Sequence, residues 1–272
     1  MTDSRIAIVT VFLPRMELDH LAEWITYHRK VGVQRFYLYN NGHIAHDAIF
    51  KRGPAGKVWQ KKPEANYHLD LSDEEVDQQI DAIVREAGSQ VCHVPWPGGP
   101  QGHGNYRTAQ MAAVNRQLRE LQQEQHVDWL AYLDIDELIV PVNESLSDFL
   151  SRVEDDVAAV KICQKLFESR WQSGNSVPYA NLTKAYGVLD FNRKLVARVS
   201  HARRWMNSHQ MKISHGRILH VAPDHLRFHH FRGNEHHGPP APAGFGVNKY
   251  VKYEQPLEHD NRHVEIGGVP TK

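Results

Sequence analysis

Residues 129–140 read WLAYLDIDELIV and place three carboxylates inside the most apolar run of the chain. Five apolar or aromatic residues precede Asp134, Asp136 and Glu137, and three apolar residues follow them. Short apolar runs of this kind are typical of buried strands. Because an unpaired buried carboxylate costs several kcal/mol, this stretch predicts that a compensating charge lies beside the acids.

The composition predicts one large domain with a hydrophobic core, because 41% of the 272 residues are hydrophobic. The 32 basic and 32 acidic residues cancel. This balance gives no basic excess of the kind that binds nucleic acid. Cys92 and Cys163 lack metal-type spacing, so neither a disulfide framework nor a cysteine zinc site is expected.

The N-terminal residues show no secretory signal pattern, since a basic first region and a cleavage site are lacking. No run approaches the roughly 18 apolar residues that span a bilayer. These features predict a soluble, cytoplasmic protein without a transmembrane segment. Peripheral contact with a membrane is the alternative location.

The first 42 residues carry the pattern of a βαβ unit. Residues 5–13 (RIAIVTVFL) are short, apolar and β-branched, as in a buried strand. Residues 17–31 have apolar side chains at helical spacing, and residues 34–39 predict a second strand before the turn signature Asn40-Asn41-Gly42. Such units are normally parallel and right-handed.

Strand and helix patterns continue to alternate through residue 163, and Ser72 and Glu75 form a capping-box pattern at one helix start. This alternation predicts an α/β fold, a Rossmann-like open and mostly parallel sheet with helices on both faces and a smaller mixed C-terminal region. Residues 1–237 are predicted to form the domain, and residues 238–272 a tail that wraps the surface or is partly disordered. Loops are predicted over three Gly/Pro-containing or polar segments, residues 51–65, 95–105 and 238–246.

Polar residues are expected at the carboxyl ends of the predicted strands, where open α/β sheets bind ligands. In an extended chain Asp134 and Asp136 face the same side, so both can point into one crevice. Their repulsion requires a shared proton or a cation, and oxygen ligands suit Mg²⁺ or Mn²⁺. A solvated turn is the alternative, which the apolar flanks disfavour. Glu137 either orients a metal shell or accepts from neighbouring backbone N–H groups.

Several motifs together resemble the family-2-like and family-92-like GT-A glycosyltransferases. Glu23-Trp24-Ile25 with Tyr27-His28 looks like the "EWI-x-YH" element, and residues 128–138 look like the family's "dWl-x-x-lDiDEF" element, with Leu138 in place of Phe. The similarity extends to Gly32-Val33, to residues 36–41, to the polar helix residues Arg107, Gln110 and Asn115, and to His229-His230-Phe231-Arg232.

The resemblance implies a GT-A fold that moves a sugar from a nucleotide-diphosphate sugar to an acceptor hydroxyl with Mn²⁺ or Mg²⁺. By this analogy Asp136 binds the metal, Asp134 contacts ribose, metal or metal-bound water, and His230 completes the metal shell. The acceptor would be a glycan, a lipid-linked sugar or a cell-surface polysaccharide, and transfer would be inverting. Donor contacts would include Thr10, Glu17, Asn40, Arg107, Gln110 and Lys212.

Further roles and rival functions remain open at the level of the sequence. Glu168 and Asp190 are candidate general bases, although a surface carboxylate is the simpler interpretation of each. His229 is the fallback for His230, since adjacent residues of a strand face opposite sides, and His220 and His215 are further candidates. One rival function is a metal-dependent nucleotidyltransferase or phosphohydrolase, and the other is a non-catalytic carbohydrate-binding domain of the same fold.

Overall fold

The chain begins with the predicted βαβ unit. β1 (Ile6–Phe12) is buried throughout, and α1 (Pro14–Val31) carries proline in its first turn. α1 ends at Gly32, whose φ of 106° is a left-handed conformation that glycine adopts without steric cost. β2 (Arg35–Asn40) then pairs in parallel with β1.

The computed structural model describes residues 4–42, 71–96, 106–168, 171–172, 175–231, 258–260 and 262–267. The further helices are α2 (Asp73–Ala87), α3 (Tyr106–Glu124), α4 (Leu146–Ser151) and α5 (Arg262–Gly267), with a 3-10 helix at Tyr179–Asn181. The further strands are β3 (Val91–Pro95), β4 (Trp129–Tyr132), β5 (Glu137–Pro141), β6 (Val157–Phe167), β7 (Trp171–Gln172), β8 (Asn175–Ser176), β9 (Lys184–Arg198), β10 (Ala202–Asn207), β11 (Gln210–Ile213), β12 (Arg217–His220), β13 (Leu226–His230) and β14 (Glu258–His259). The capping box that opens α2 is present as predicted, with Ser72 and Glu75 bonding each other's backbone N–H.

One large sheet has the order β3-β2-β1-β4-β9-β6-β13-β5, with β12 on β6 and β14 on β9. Among the described strands of this sheet, β5 and β9 run against the direction shared by the others. The carboxyl ends of β1, β4, β6 and β13 therefore lie along one edge of the sheet. The prediction of a mostly parallel α/β sheet is confirmed.

Helices cover both faces of the sheet, as predicted. Ile6, Ile8 and Phe12 of β1 belong to the core cluster that includes apolar residues of α1 and α2. The alternate residues Val9 and Val11 belong to a second cluster with apolar residues of α3. The two faces of β1 are thus buried under different helices, which explains why its sequence is apolar without alternation.

The stretch 129–140 forms two strands and a turn instead of one continuous extended segment. β4 lies in the middle of the sheet, whereas β5 lies at its end, with three strands between the two. Residues 135–136 form the turn, and the Glu137 N–H donates to the Asp134 carbonyl over 3.1 Å. The prediction that Asp134 and Asp136 share a face by extended alternation is therefore wrong, because the chain reverses its course between them.

The C-terminal segment 258–267 packs against the body of the protein. β14 pairs with β9, and Asp260 accepts from Lys165 Nζ and from an Arg227 N–H, each over 2.7 Å. The domain boundary predicted after residue 237, the loops predicted over 51–65 and 238–246, and residues 97–105 of the loop predicted over 95–105 lie outside the described residues. None of the described helices has the length and apolar character that spanning a bilayer requires.

Candidate active site

Three carboxylates surround the turn between β4 and β5, which we call the acid turn (residues 134–137). The turn lies at the sheet edge that carries the carboxyl ends of the parallel strands, because β5 runs the opposite way and starts there. The Glu137 side chain is 2% exposed, whereas those of Asp134 and Asp136 are 34% and 23% exposed. Two aspartates therefore face solvent beside a buried glutamate.

Lys194 supplies the compensating charge that the acids require. Its Nζ lies 2.9 Å from Asp134 Oδ2 and 2.7 Å from Glu137 Oε2, and its side chain is only 1% exposed. β9 brings it there. Val196 of β9 pairs with Ala131 of β4, and because the two strands are antiparallel, Lys194 lies two residues closer to the acid turn. Burial alone would lower the pKa of Lys194, but the charges of Asp134 and Glu137 outweigh it and raise the pKa.

Glu137 organises the turn from within. Its Oε2 also accepts the Asp134 backbone N–H over 2.9 Å, which is one of the two roles considered from the sequence. Burial raises the pKa of Glu137, and the Lys194 ammonium acts in the opposite direction. Since one carboxylate oxygen receives both donors, Glu137 fixes the geometry of the turn and of Lys194 together.

His230 lies directly beside Asp136. β13 pairs with β5 so that His230 is opposite Glu137, and His230 Nε2 lies 3.2 Å from Asp136 Oδ2. The other ring nitrogen, Nδ1, is hydrogen-bonded to the Gln164 side-chain amide of β6. Ligand atoms of Asp136, Glu137 and His230 all lie within 4.8 Å of one another.

The spacing of this group fits a metal ion. Two ligand atoms that are each about 2.1 Å from one ion are separated by about 3 Å when their bonds are near perpendicular. The 3.2 Å between Asp136 Oδ2 and His230 Nε2 is close to that separation. In addition, three carboxylates face one ammonium, so the cluster keeps an excess of negative charge when His230 is neutral.

The "EWI-x-YH" residues of α1 hold the acid turn from the other side. Trp24 Nε1 donates to the Glu137 carbonyl over 2.8 Å, and Tyr27 Oη donates to the Ile139 carbonyl over 2.9 Å. His28 Nε2 accepts the Ile139 N–H over 3.2 Å. These bonds satisfy backbone groups along the outer edge of β5, where no further strand of the described sheet follows.

Glu23 completes this contact through the 3-10 helix. Its carboxylate accepts the backbone N–H groups of Tyr179, over 3.0 Å, and Ala180, over 3.3 Å. The Tyr179 hydroxyl in turn donates to the carbonyl of Ile135, inside the acid turn. Hydrogen bonds therefore join the motif on α1 to the acid motif, both directly and through the 3-10 helix.

Comparison with known proteins identifies the family. A sequence model described as glycosyltransferase family 92 matches residues 72–265, which is more than half of the chain. The protein belongs to glycosyltransferase family 92. The matched range contains the acid turn, Gln164, Lys194 and His230.

The other two comparisons of this family 92 glycosyltransferase, with solved structures and with curated sequences, add little to the assignment. The crystal structure of the galactosyltransferase LgtC, in complex with donor and acceptor sugar analogues, is similar over 97% of both chains, with 12% identity and a TM-score of 0.35. A comparison with curated protein sequences gives no significant match. The family assignment therefore comes from the sequence model.

The donor contacts predicted near β1 and β2 lie at the same edge of the glycosyltransferase sheet. Thr10 is fully buried, and its Oγ1 has no hydrogen bond within the described part of the chain. Asn40 Oδ1 accepts the Gly42 N–H over 2.8 Å, and its amide nitrogen lies 3.2 Å from His93 Nε2. Asn41 is also fully buried, and among the described residues neither polar atom of its side chain has a partner.

The remaining predicted site residues of the glycosyltransferase are more scattered. Glu17 lies in the first turn of α1, and Gln110 lies half-buried on α3. Lys212 is exposed on β11 opposite Arg204 of β10, and Glu168 directly follows β6. The side chains of Arg107 and Asp190 and the whole of Arg232 lie outside the described residues.

The structure places His230, not the fallback His229, beside the acid turn. His229 is fully buried on the opposite side, stacked on Phe167 at 4.2 Å between ring centroids. Its Nε2 accepts from Arg227 Nε over 3.0 Å, and its Nδ1 lies 3.1 Å from His263 Nδ1. His229 therefore belongs to the buried cluster that holds the C-terminal segment, and the alternation expected of adjacent strand residues separates the two histidines.

Sequence reasoning missed three residues of this glycosyltransferase site, namely Lys194, Gln164 and His209. His209 lies in the β10–β11 turn, where its Nδ1–H donates to the Arg193 carbonyl over 3.1 Å. Burial lowers the pKa of His209. The charges of Lys194 and His230 lower this pKa further, and the charge of Asp134 raises it. The only sequence signal for these residues was their polarity inside strand or hairpin patterns.

Proposed function

We propose that this glycosyltransferase uses a divalent ion, Mn²⁺ or Mg²⁺, to transfer a sugar from a nucleotide-diphosphate sugar to an acceptor hydroxyl. The observation that carries the proposal is the 3.2 Å approach of Asp136 Oδ2 and His230 Nε2 beside the buried Glu137. Carboxylate oxygens are the ligands that hard divalent ions prefer, and imidazole nitrogen suits Mn²⁺ better than Mg²⁺.

The charge of the cluster supports a divalent ion. Lys194 balances one of the three carboxylates, so two negative charges remain when all three are ionised and His230 is neutral. Lys194 binds Asp134 and Glu137 directly, which leaves Asp136 and His230 as the pair best placed to hold metal. When bound, the ion would stabilise the negative charge that develops on the leaving diphosphate.

In this proposal Asp134 keeps the donor role that the resemblance implied, and the direct metal contact is left to Asp136 and His230. Its Oδ2 is held by Lys194, while its Oδ1 has no hydrogen bond among the described residues. A donor hydroxyl, such as one of ribose, or a water on the metal would supply the partner that this buried oxygen lacks. We therefore assign Asp134 to the donor and Asp136 with His230 to the ion.

The nucleoside end of the donor would lie toward β1 and β2. Thr10 and Asn41 present buried polar atoms without partners in the described part of the chain, and such atoms usually have a bound partner. Asn40 lies next to them at the end of β2. Glu17, Arg107, Gln110 and Lys212 remain proposed donor contacts by analogy with the family.

Transfer also requires a base for the acceptor hydroxyl, and inversion at the sugar carbon would use that base on the face opposite the diphosphate. Glu168 and Asp190 remain proposed candidates. His209 is a third, because its Nδ1–H is fixed by a carbonyl and its Nε2 lone pair can accept a proton. The carbonyl that it bonds belongs to Arg193, the chain neighbour of Lys194, which supports a place close to the acid turn.

The acceptor would be a glycan, a lipid-linked sugar or a cell-surface polysaccharide, and the catalytic domain would comprise residues 1–237. A two-metal nucleotidyltransferase or phosphohydrolase requires additional converging acids. Within the described residues, Asp136, Glu137 and His230 form the one group with metal-ligand spacing. The geometry therefore favours sugar transfer over that rival function.

A thermal-shift screen tests the proposal. Purified protein is melted with nucleoside diphosphates and nucleotide sugars, each with and without Mn²⁺. We expect one nucleotide class to raise Tm only when Mn²⁺ is present, because a ligand stabilises the state that binds it. A shift with nucleotide that is equal with and without Mn²⁺ would contradict metal dependence. Metal-dependent release of nucleoside monophosphate would favour the phosphohydrolase or nucleotidyltransferase, and glycan binding without turnover would favour the binding domain.

A further inference from the structure

Gln164 lies directly behind His230 in the candidate metal site. It is 1% exposed on β6, and its amide nitrogen is hydrogen-bonded to His230 Nδ1. The amide oxygen of the same side chain, Oε1, is buried and has no hydrogen bond within the described part of the chain. A buried amide oxygen without a partner is uncommon in native proteins and calls for an explanation.

The partners of His230 fix its proton in the structure. The Asp136 carboxylate only accepts, so a neutral His230 carries its proton on Nε2 and donates it there. Nδ1 is then an acceptor, which matches the Gln164 amide nitrogen as its donor. Both of these contacts are satisfied in this arrangement.

Metal binding requires the other arrangement. An imidazole that uses its Nε2 lone pair for a metal carries its proton on Nδ1 and normally donates it to a nearby acceptor. Glu137 Oε1 is 3.8 Å from Nδ1, too far for a hydrogen bond. The Gln164 amide is already in contact with Nδ1. A 180° turn about its Cγ–Cδ bond would exchange the amide nitrogen and oxygen and present Oε1 to the ring.

We propose that Gln164 is a positioning residue that holds the His230 ring in both states by turning its amide. For a neutral ring the change balances, since one proton leaves Nε2 for solvent and one is gained at Nδ1. A glutamine suits this role because it can donate or accept without adding a fourth carboxylate to the cluster. The inference rests on the proposed function only for the presence of the metal.

NMR of the imidazole nitrogens tests the metal-free half directly in the full chain. Long-range proton–nitrogen spectra distinguish Nε2–H from Nδ1–H. The signal that is missing from the spectrum of His230→Gln is assigned to His230. We expect a single Nε2–H tautomer in the wild type and a mixture in Gln164→Leu. A mixture in the wild type, or an unchanged single tautomer in Gln164→Leu, would overturn the inference.

The same spectra with saturating Mg²⁺ test the metal-bound state. The wild type is then expected to show Nδ1–H, and an unchanged Nε2–H signal in protein that binds the ion would contradict the inference.

Calorimetric titration with Mn²⁺ alone tests the metal-bound half. Loss of such a supporting contact typically weakens metal binding about 10- to 100-fold, and we expect this for Gln164→Leu. Gln164→Glu is expected to bind at least as tightly as the wild type, because its carboxylate accepts the Nδ1–H. The matched control is Gln117→Leu, which removes a buried glutamine of α3 that bonds Tyr39.

The outcomes separate this inference from the proposed function. Equal affinities for the wild type and Gln164→Leu, or equal losses for Gln164→Leu and Gln117→Leu, would overturn the positioning role. A wild-type protein that binds no Mn²⁺ would contradict the proposed metal dependence and the metal-bound half of the inference. In that case the tautomer measured without metal would still decide whether Gln164 positions His230.

Discussion

The indole Nε1–H of Trp24 donates to the backbone carbonyl of Glu137 over 2.8 Å. This bond links α1 to the first residue of β5, whose side chain anchors Lys194 and the acid turn. Together with Tyr27 and His28, it replaces the neighbouring strand that the outer edge of β5 lacks in the described sheet. The helix motif thus supports the acid motif by hydrogen bonds to its backbone.

His28→Leu is predicted to destabilise the protein and to weaken Mn²⁺ binding. The leucine leaves the buried Ile139 N–H without its acceptor, which costs about 1–3 kcal/mol. His28→Gln is the matched variant, because its amide oxygen can accept the same N–H. Urea denaturation and calorimetry measure the two effects. Equal Mn²⁺ affinity for His28→Leu and the wild type would show that the helix contact does not shape the acid turn.

Lys194→Met is predicted to lower the free energy of unfolding by about 3–5 kcal/mol, since it leaves Glu137 buried without its ion partner. Adding Glu137→Gln should recover part of the loss, because the buried charge is then removed. Arg217→Met, which breaks exposed ion pairs with Glu154 and Asp156, serves as the control and should cost much less, because water screens exposed pairs. Similar losses in the free energy of unfolding for Lys194→Met and Arg217→Met would show that the buried ion pair contributes no more to stability than the exposed ones.

The buried histidines are predicted to make the protein less stable as the pH falls from 7 to 5, whereas the raised pKa of Glu137 acts in the opposite direction. Burial lowers the pKa of His28 to about 3 and that of His263 to about 4, and it places that of His229 well below its usual value. Unfolded histidines take up protons near pH 6.5, so in this window the unfolded state binds more protons than the folded state. Each such residue contributes a slope of up to about 1.4 kcal/mol per pH unit.

Urea denaturation of the wild type and of His263→Gln across pH 5–7 measures this effect. The variant is expected to lose stability at pH 7, where the wild-type contact with the Tyr179 carbonyl is intact, and to show a shallower pH dependence. A slope that is identical in the two proteins would mean that His263 does not stay neutral in the folded state.

Local structure was predictable because each signal lay within a few residues. The β-branched run of β1, the capping box before α2 and the apolar runs around the acids identify their elements without long-range information. The position of the acids at a strand end follows from the same patterns. The turn inside the acid motif was missed, because apolar residues on both sides resemble one continuous strand.

The partners of the acids were not predictable, because they depend on strand order. Lys194 lies 60 residues from Asp134 in the chain, and Gln164 lies 66 residues from His230. A lysine or glutamine within an apolar strand gives no local sign of what it faces. The insertion of β9 between β4 and β6 brings Lys194 to the acid turn, and the pairing of β6 with β13 brings Gln164 to His230.

Calorimetric titration of Mn²⁺ into the wild type, Asp136→Asn and Asp155→Asn tests metal binding at Asp136 and His230 most directly. Asp155 is an exposed acid before β6 and controls for loss of one negative charge. We predict that the wild type and Asp155→Asn bind Mn²⁺ alike and that Asp136→Asn binds at least about tenfold more weakly, a loss of about 1.4 kcal/mol. Equal Mn²⁺ affinity for Asp136→Asn and the wild type would contradict a metal site at this pair.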